Sequence, residues 1–328
     1  MIAEVCLTYL NFGCIKGLSP ALRPLSPAAP FLEYASRYWG AHARRQPSAS
    51  VISPALKLLD RFDAHTSCEL LLREELWKIG IDFDPSFRPM KCTALHAASL
   101  LGVLEIMVSL LKANKWDLNA TDCFGNTASL WATRKGHDAI VKVLLEEEGV
   151  NPHLVDCRGK TSLSWAAEGG HEGIVEMLLK RNDVNPDTVD KYGRTPLSWT
   201  AAPMFESWST KEACERIGEI LLEQKDVNPD SADKGGRTPL LWAAEKGREK
   251  IVCMLLEQSN VNPDRADKSG RTPFSWAAGN GRERIVRMLL ERNDVNPTLQ
   301  MRTAERHFYG LPRMGARGLY RCCWNGAM

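Results

Sequence analysis

Apolar residues fall in short bursts at helical spacing, separated by polar turns containing glycine. After Asp156, Gly169-Gly170 closes one burst, and Ile174, Val175, Leu178 and Leu179 then line one face at i, i+1, i+4 and i+5. This predicts pairs of short helices. Asp190-Lys191-Tyr192-Gly193 reads as a turn, with Thr195 as a helix N-cap and Pro196 at the first helical position, where a missing N–H costs nothing. Val184-Asn185-Pro186-Asp187 reads as an extended exit into that turn.

The pattern is periodic. Thr93, Thr127, Thr161, Thr195, Thr238 and Thr272 follow one another every 34 residues, except for a gap of 43 between Thr195 and Thr238. Asn-Pro pairs beginning at 151, 185, 228, 262 and 296 keep the same phase. Six units follow, at about 88–121, 122–155, 156–189, 190–232, 233–266 and 267–300. The fourth carries an insertion near Pro203–Lys211, with Met204, Phe205 and Trp208 on a loop and Ser209 and Glu212 as a capping box restarting a helix. A helix pair of this size cannot bury enough apolar surface to offset its ordering entropy, so neighbours must cover both faces. The expected fold is all-α, a solenoid of helix-turn-helix units with hairpin-like turns.

Residues 1–87 lie outside the repeat. Prolines 20, 24, 27 and 30 mark a linker. Aromatic and apolar residues between Pro30 and Arg44, and the stretch 55–79, predict amphipathic helices that cap the first repeat; an independent small helical module is the other reading. Residues 301–328 leave the phase, with arginines 302, 306, 313, 317 and 321 against Glu305. This tail reads either as a basic arm for acidic surfaces or as a non-native terminus from a mispredicted exon.

Composition narrows the function classes. The chain has 328 residues, 44% hydrophobic and 25% charged, which fits a folded protein. No apolar run is long enough for a membrane helix, and the net charge of +2 offers no pull toward nucleic acid or anionic lipid. The 10 cysteines are scattered without C-x-x-C pairs, which points to reduced thiols in a cytoplasmic protein, a nuclear one being the alternative. The start of the chain has no basic n-region and is a poor signal peptide.

Catalytic chemistry finds no support. Gly159-Lys160-Thr161-Ser162 resembles the end of a phosphate loop, but residue 154 is Leu and Thr161 is in phase with the other repeat threonines. His171-Glu172 starts like a zinc motif, but residue 175 is Val. No catalytic, cofactor-binding or metal-ligating residue is assigned. The protein is expected not to be an enzyme.

Three sets of residues could bind a protein partner. Trp131, Trp165, Trp199, Trp242 and Trp276 recur in phase, and Trp is favoured in binding hot spots; inter-repeat stacking is the competing reading. Lys191, Lys234 and Lys268 with Arg194, Arg237 and Arg271 form two basic rows on the turn tips, but Asp187, Asp190, Asp230, Asp233, Asp264 and Asp267 lie beside them and compensate the charge. Met204, Phe205 and Trp208 of the insertion are the third set.

Thr195-Pro196-Leu197-Ser198-Trp199 and Thr93-Ala94-Leu95-His96-Ala97-Ala98 resemble the T-P-L-H-x-A core of ankyrin repeats. Gly136-His137 and Gly170-His171 before the second helix extend the resemblance. The family's core His survives only as His96; Leu130, Ser164, Ser198, Leu241 and Ser275 replace it elsewhere. The resemblance implies a curved array with the first helices and turn tips facing partners on its concave side. Glu4–Phe12 and Pro30–Arg44 resemble the segment joining the nucleotide-binding half to the repeats in fungal NACHT–ankyrin (NLR-like, STAND) proteins. The NTPase domain is absent from the sequence. What the resemblance implies is a recognition half that binds a protein ligand or an NTPase-bearing signalling protein. A cytoplasmic or nuclear adaptor or transcriptional co-regulator is the alternative, and an enzyme with an unrecognised site is the third reading.

Overall fold

Every recurring threonine begins a helix. In the computed structural model, which describes residues 1–11, 31–45, 47–60, 91–113, 115–203 and 211–292, the Oγ1 of Thr127, Thr161, Thr195, Thr238 and Thr272 accepts the backbone N–H three residues on. This fills one of the orphan donors at a helix start. Thr93 does the same within a capping box, where His96 Nδ1 accepts the Thr93 N–H at 3.0 Å. Pro196 takes the first helical turn, as expected, and Pro239 and Pro273 do the same in their repeats. Where the family's His is Ser, the Ser hydroxyl meets the capping Thr hydroxyl, at 3.1 Å for Ser198 and Thr195.

The chain divides into two compact units, Met1–Cys157 and Arg158–Met328. In the first, α1 (Ile2–Leu10) packs on α2 (Leu32–Arg45) and α3 (Ala49–Leu59), and α3 packs on α5 (Leu104–Lys112). Cys6, Leu7, Leu10, Ala35, Trp39 and Ala55 are buried between them. Helix α1 was not foreseen from the apolar pattern. The two repeat pairs here are α4 (Ala94–Leu101) with α5, and α6 (Ala128–Arg134) with α7 (Asp138–Glu146). Of the stretch 55–79, residues 55–59 belong to α3 and Asp60 is its C-cap; residues 61–79, like the proline linker, lie outside the described residues.

The second unit holds four pairs: α8 (Ser162–Gly169) with α9 (Glu172–Leu179), α10 (Pro196–Ala201) with α11 (Lys211–Leu222), α12 (Pro239–Lys246) with α13 (Glu249–Glu257), and α14 (Pro273–Gly279) with α15 (Glu283–Leu290). First helices pack on first helices and second on second. Ile174, Val175 and Leu178 of α9 are buried, as are Ile251, Val252 and Leu255 of α13. The fold is all-helical and repetitive, with no strand among the described residues.

Tight turns link successive units. Asp190 N–H donates to the Arg194 carbonyl at 3.0 Å, and Gly193 N–H donates to the Asp190 carbonyl at 2.9 Å. Gly193 has φ +79°, and a Cβ there would lie 2.9 Å from the Lys234 nitrogen. Both the conformation and the approach of the next turn require glycine. That next turn is tied on by Lys234 N–H to the Tyr192 carbonyl at 2.8 Å, and the following one by Lys268 N–H to the Gly235 carbonyl at 2.9 Å. Seatings of this kind are how a repeat array transmits order from unit to unit.

Candidate partner-binding site

The turn aspartates are structural anchors. Asp190 Oδ1 accepts the N–H of Tyr192 at 2.8 Å and of Arg194 at 3.0 Å, while Oδ2 accepts Trp199 Nε1–H at 3.1 Å. Asp233 does this for Gly235, Arg237 and Trp242, and Asp267 for Ser269, Arg271 and Trp276. In the first unit Asp122 holds Phe124, Asn126 and Trp131 in the same way. One carboxylate thus folds the turn and aims the indole that follows it nine residues later. The aspartates sit beside the basic rows for this reason, in addition to balancing charge.

The indoles of the second unit alternate with cations. Lys160 Nζ lies 4.3 Å from the ring centre of Trp165 and 3.2 Å from that of Trp199. Arg194 lies between Trp199 at 4.4 Å and Trp242 at 3.7 Å, and Arg237 between Trp242 at 4.5 Å and Trp276 at 4.3 Å. Arg271 covers Trp276 at 4.5 Å. Cation–π attraction is strongest where water is excluded, and here Lys160, Arg194 and Arg237 each bridge consecutive repeats. Lys160 belongs to this row. It precedes its repeat threonine as Arg194, Arg237 and Arg271 precede theirs, a phase that sequence reading could have used. Its amine is fully buried and ion-paired with Glu168 at 2.5 Å. In the first unit, Trp131 is covered by Arg134 at 5.0 Å instead.

These positions narrow the candidate surface. Trp131, Trp165 and Trp199 are buried, so they present no ring to a partner. Trp242 and Trp276 are half-buried. The two basic rows are not alike. Lys191, Lys234 and Lys268 are exposed at the tips, whereas Arg194, Arg237 and Arg271 are withdrawn among the indoles. Burial pulls the Arg194 pKa down; Asp233, Asp190 and Glu168 act against that, and Arg237 adds to it. Met204, Phe205, Trp208 and Ser209 lie outside the described residues.

A cleft of about 480 Å³ opens beside the insertion. Its walls include Trp199, Ala202, Pro203 and Trp242, Arg194 and Asp233 line it, and Lys234 and Lys246 supply charge. This cleft gathers members of the Trp ladder and both basic rows. Among the described residues, no group of His, Cys, Asp and Glu could hold a metal ion. His96 is buried, and burial lowers its pKa despite the field of Asp122 and its bonds to backbone carbonyls. Its Nε2 reaches the carbonyls of Ala120 and Asn126 at 3.0 Å, a structural role. No described helix is long and apolar enough to cross a membrane.

A family model for ankyrin repeats matches three times, over residues 61–156, 148–206 and 208–301. Among solved structures, the crystal structure of EF0377, an ankyrin repeat protein, is similar with a TM-score of 0.53 and 22% identity, covering 61% of this chain and 97% of that one. No curated protein matches the sequence.

Proposed function

The chain belongs to the ankyrin-repeat family, and from that premise we propose that it is a non-enzymatic scaffold for protein–protein interaction that engages its partner through the turn tips and the Arg194 cleft. The observation that carries this reading is the cleft itself. It brings half-buried Trp242 and exposed Lys234 together on a rigid repeat framework, and an amphipathic aromatic beside a cation is what a protein hot spot uses. We take 88–300 as the six recognition units, the helices before them as their cap, and 301–328 as a basic tail. The finer reading is a recognition half of an NLR-like system, resting on the resemblance of Glu4–Phe12 and Pro30–Arg44 to the joining segment of such proteins.

The test is affinity capture with the full chain, followed by mass spectrometry. A reproducible protein partner is expected. An NTPase-bearing signalling protein among the captured species supports the NLR-like role, and a transcription complex in its place overturns it. Deleting 203–211 should weaken capture if the insertion borders the contact. Catalytic turnover, or capture of nothing, sinks the scaffold reading.

A further inference from the structure

We propose that the cleft at Arg194 recognises a carboxylate carried on an extended acidic segment of a protein partner; this deepens, and rests on, the scaffold reading. In the two flanking units the turn cation is neutralised by a glutamate eight residues on. Lys160 pairs with Glu168 at 2.5 Å, and Arg237 pairs with Glu245 at 2.9 Å. Eight residues after Arg194 stands Ala202. The Arg194 side chain is only 13% exposed, yet the nearest oxygen offered from that position is the Ala202 carbonyl, 3.5 Å from one terminal nitrogen. Of its acidic neighbours, Asp233 lies 3.9 Å from Nε and is already occupied by the N–H groups of Gly235, Arg237 and Trp242. Asp190 accepts from the backbone N–H groups of Tyr192 and Arg194 and from the Trp199 indole, and Glu168 is paired with Lys160. A guanidinium carries five donors in a planar fork matched to a carboxylate. Here that fork is fixed between two indoles, and among the described residues its one side-chain hydrogen bond is the long one to the Ala202 carbonyl.

The opening beside it has a local cause. Pro203 disfavours helical geometry at the residue before it. Helix α10 accordingly ends at Ala201, and Ala202 turns away with φ −145° and ψ 77°. Helices α8 and α12 continue through the equivalent positions and carry Glu168 and Glu245. Residue 202 is Ala, so this repeat has no internal carboxylate, and the truncated helix leaves the cleft where that carboxylate would lie. Arg271 also lacks the glutamate, since residue 279 is Gly; it lies in the last described repeat. The titratable residues lining the Arg194 cleft are Tyr192, Arg194, Asp233, Lys234 and Lys246, a net positive set with its one acid already bonded. The half-buried face of Trp242 suits an apolar residue flanking the acid. A carboxylate is favoured over a phosphate because a glutamate fills the equivalent place in both neighbouring units.

The test uses the full chain and fluorescein-labelled peptide pools with a fixed central residue and randomised neighbours, followed by anisotropy. A central Glu should bind at least about tenfold more tightly than a central Gln, the usual scale for a hydrogen bond to a charged group. Ala202→Glu supplies the missing carboxylate in cis and should abolish that preference. The double variant Lys234→Glu/Lys246→Glu changes only exposed positions, and it should weaken Glu-pool binding even if Ala202→Glu fails to fold. Equal binding of Glu and Gln pools, no binding of the Glu pool, or binding unchanged in the double variant overturns the proposal. A pool with central phosphoserine that binds more tightly than the Glu pool reassigns the cleft to phosphate and overturns it too. If the partner captured by the wild-type chain is retained by both variants while the peptides fail, the cleft assignment falls and the scaffold reading stands. If the wild-type chain captures nothing, the scaffold reading falls on its own account.

Discussion

Trp199 Nε1–H donates to Asp190 Oδ2 at 3.1 Å, across nine residues of chain. The bond ties the first helix of a repeat to the turn that precedes it. The indole it positions then receives Lys160 and Arg194 on its faces. Trp199→Leu removes the donor, much of the ring volume and both cation contacts. A loss of about 3–5 kcal/mol is expected, as for large-to-small changes at buried aromatics. Trp242→Leu should cost less, because Trp242 is half-buried. Chemical denaturation of both variants checks this. If Trp199→Leu costs no more than Trp242→Leu, the burial argument fails.

The turn aspartates give a sharper test of the same relationship. Asp233→Ala leaves the N–H groups of Gly235 and Arg237 and the Trp242 indole without their acceptor. Hydrogen bonds to a charged group are worth about 1.5–3 kcal/mol each, though not additively. The expected loss is about 3 kcal/mol or more, with faster amide exchange at residues 233–237. Asp230→Ala changes a residue outside this turn network and should cost less. Its Oδ2 accepts from Arg265, an ion pair whose basic partner is 42% exposed.

How much of this could be read from the sequence depended on range. The caps were legible because a Thr three residues before the N–H it accepts is a local feature. The period was legible because it is copied six times. The alternation of cations with indoles was not, since Arg194 and Trp242 belong to different units and nothing local pairs them. Lys160 was obscured by its likeness to a phosphate-loop lysine, although its phase with Arg194 was visible. The missing glutamate at Ala202 was also visible, but it had no meaning until Lys160–Glu168 and Arg237–Glu245 were seen as ion pairs. Trp recurrence suggested a surface; Trp131, Trp165 and Trp199 are instead buried, two of them with the indole N–H held by Asp122 and Asp190.

The Lys160–Glu168 pair is fully buried. Removing one partner strands a charge away from water, so Glu168→Gln should destabilise the second unit by about 3–5 kcal/mol. The double variant Lys160→Met/Glu168→Gln removes the charge altogether and should recover much of that loss. Thermal melting of the two variants distinguishes them. A double variant no more stable than the single one would show that Lys160 contributes through its contacts with Trp165 and Trp199 more than through its charge balance.

Asp187 supplies a pH dependence. Burial pushes its carboxyl up to about 6, partly opposed by the Asn228 backbone N–H. The folded chain therefore holds this proton more tightly than the unfolded chain, whose Asp titrates near 3.9. With the folded pKa raised, this group's favourable contribution is complete below about pH 4 and is lost as pH rises to about 6, so stability falls through that window. Asp187→Asn removes the penalty. Asn119 holds the equivalent place two units earlier, where its Oδ1 accepts the Asn151 N–H at 2.8 Å. The variant should be more stable than the parent at pH 7, by less than about 2 kcal/mol given the partial exposure of the site. The difference should vanish near pH 4. Denaturation midpoints of both chains across this range decide it, and a gain that is constant with pH would assign the effect to packing instead of titration.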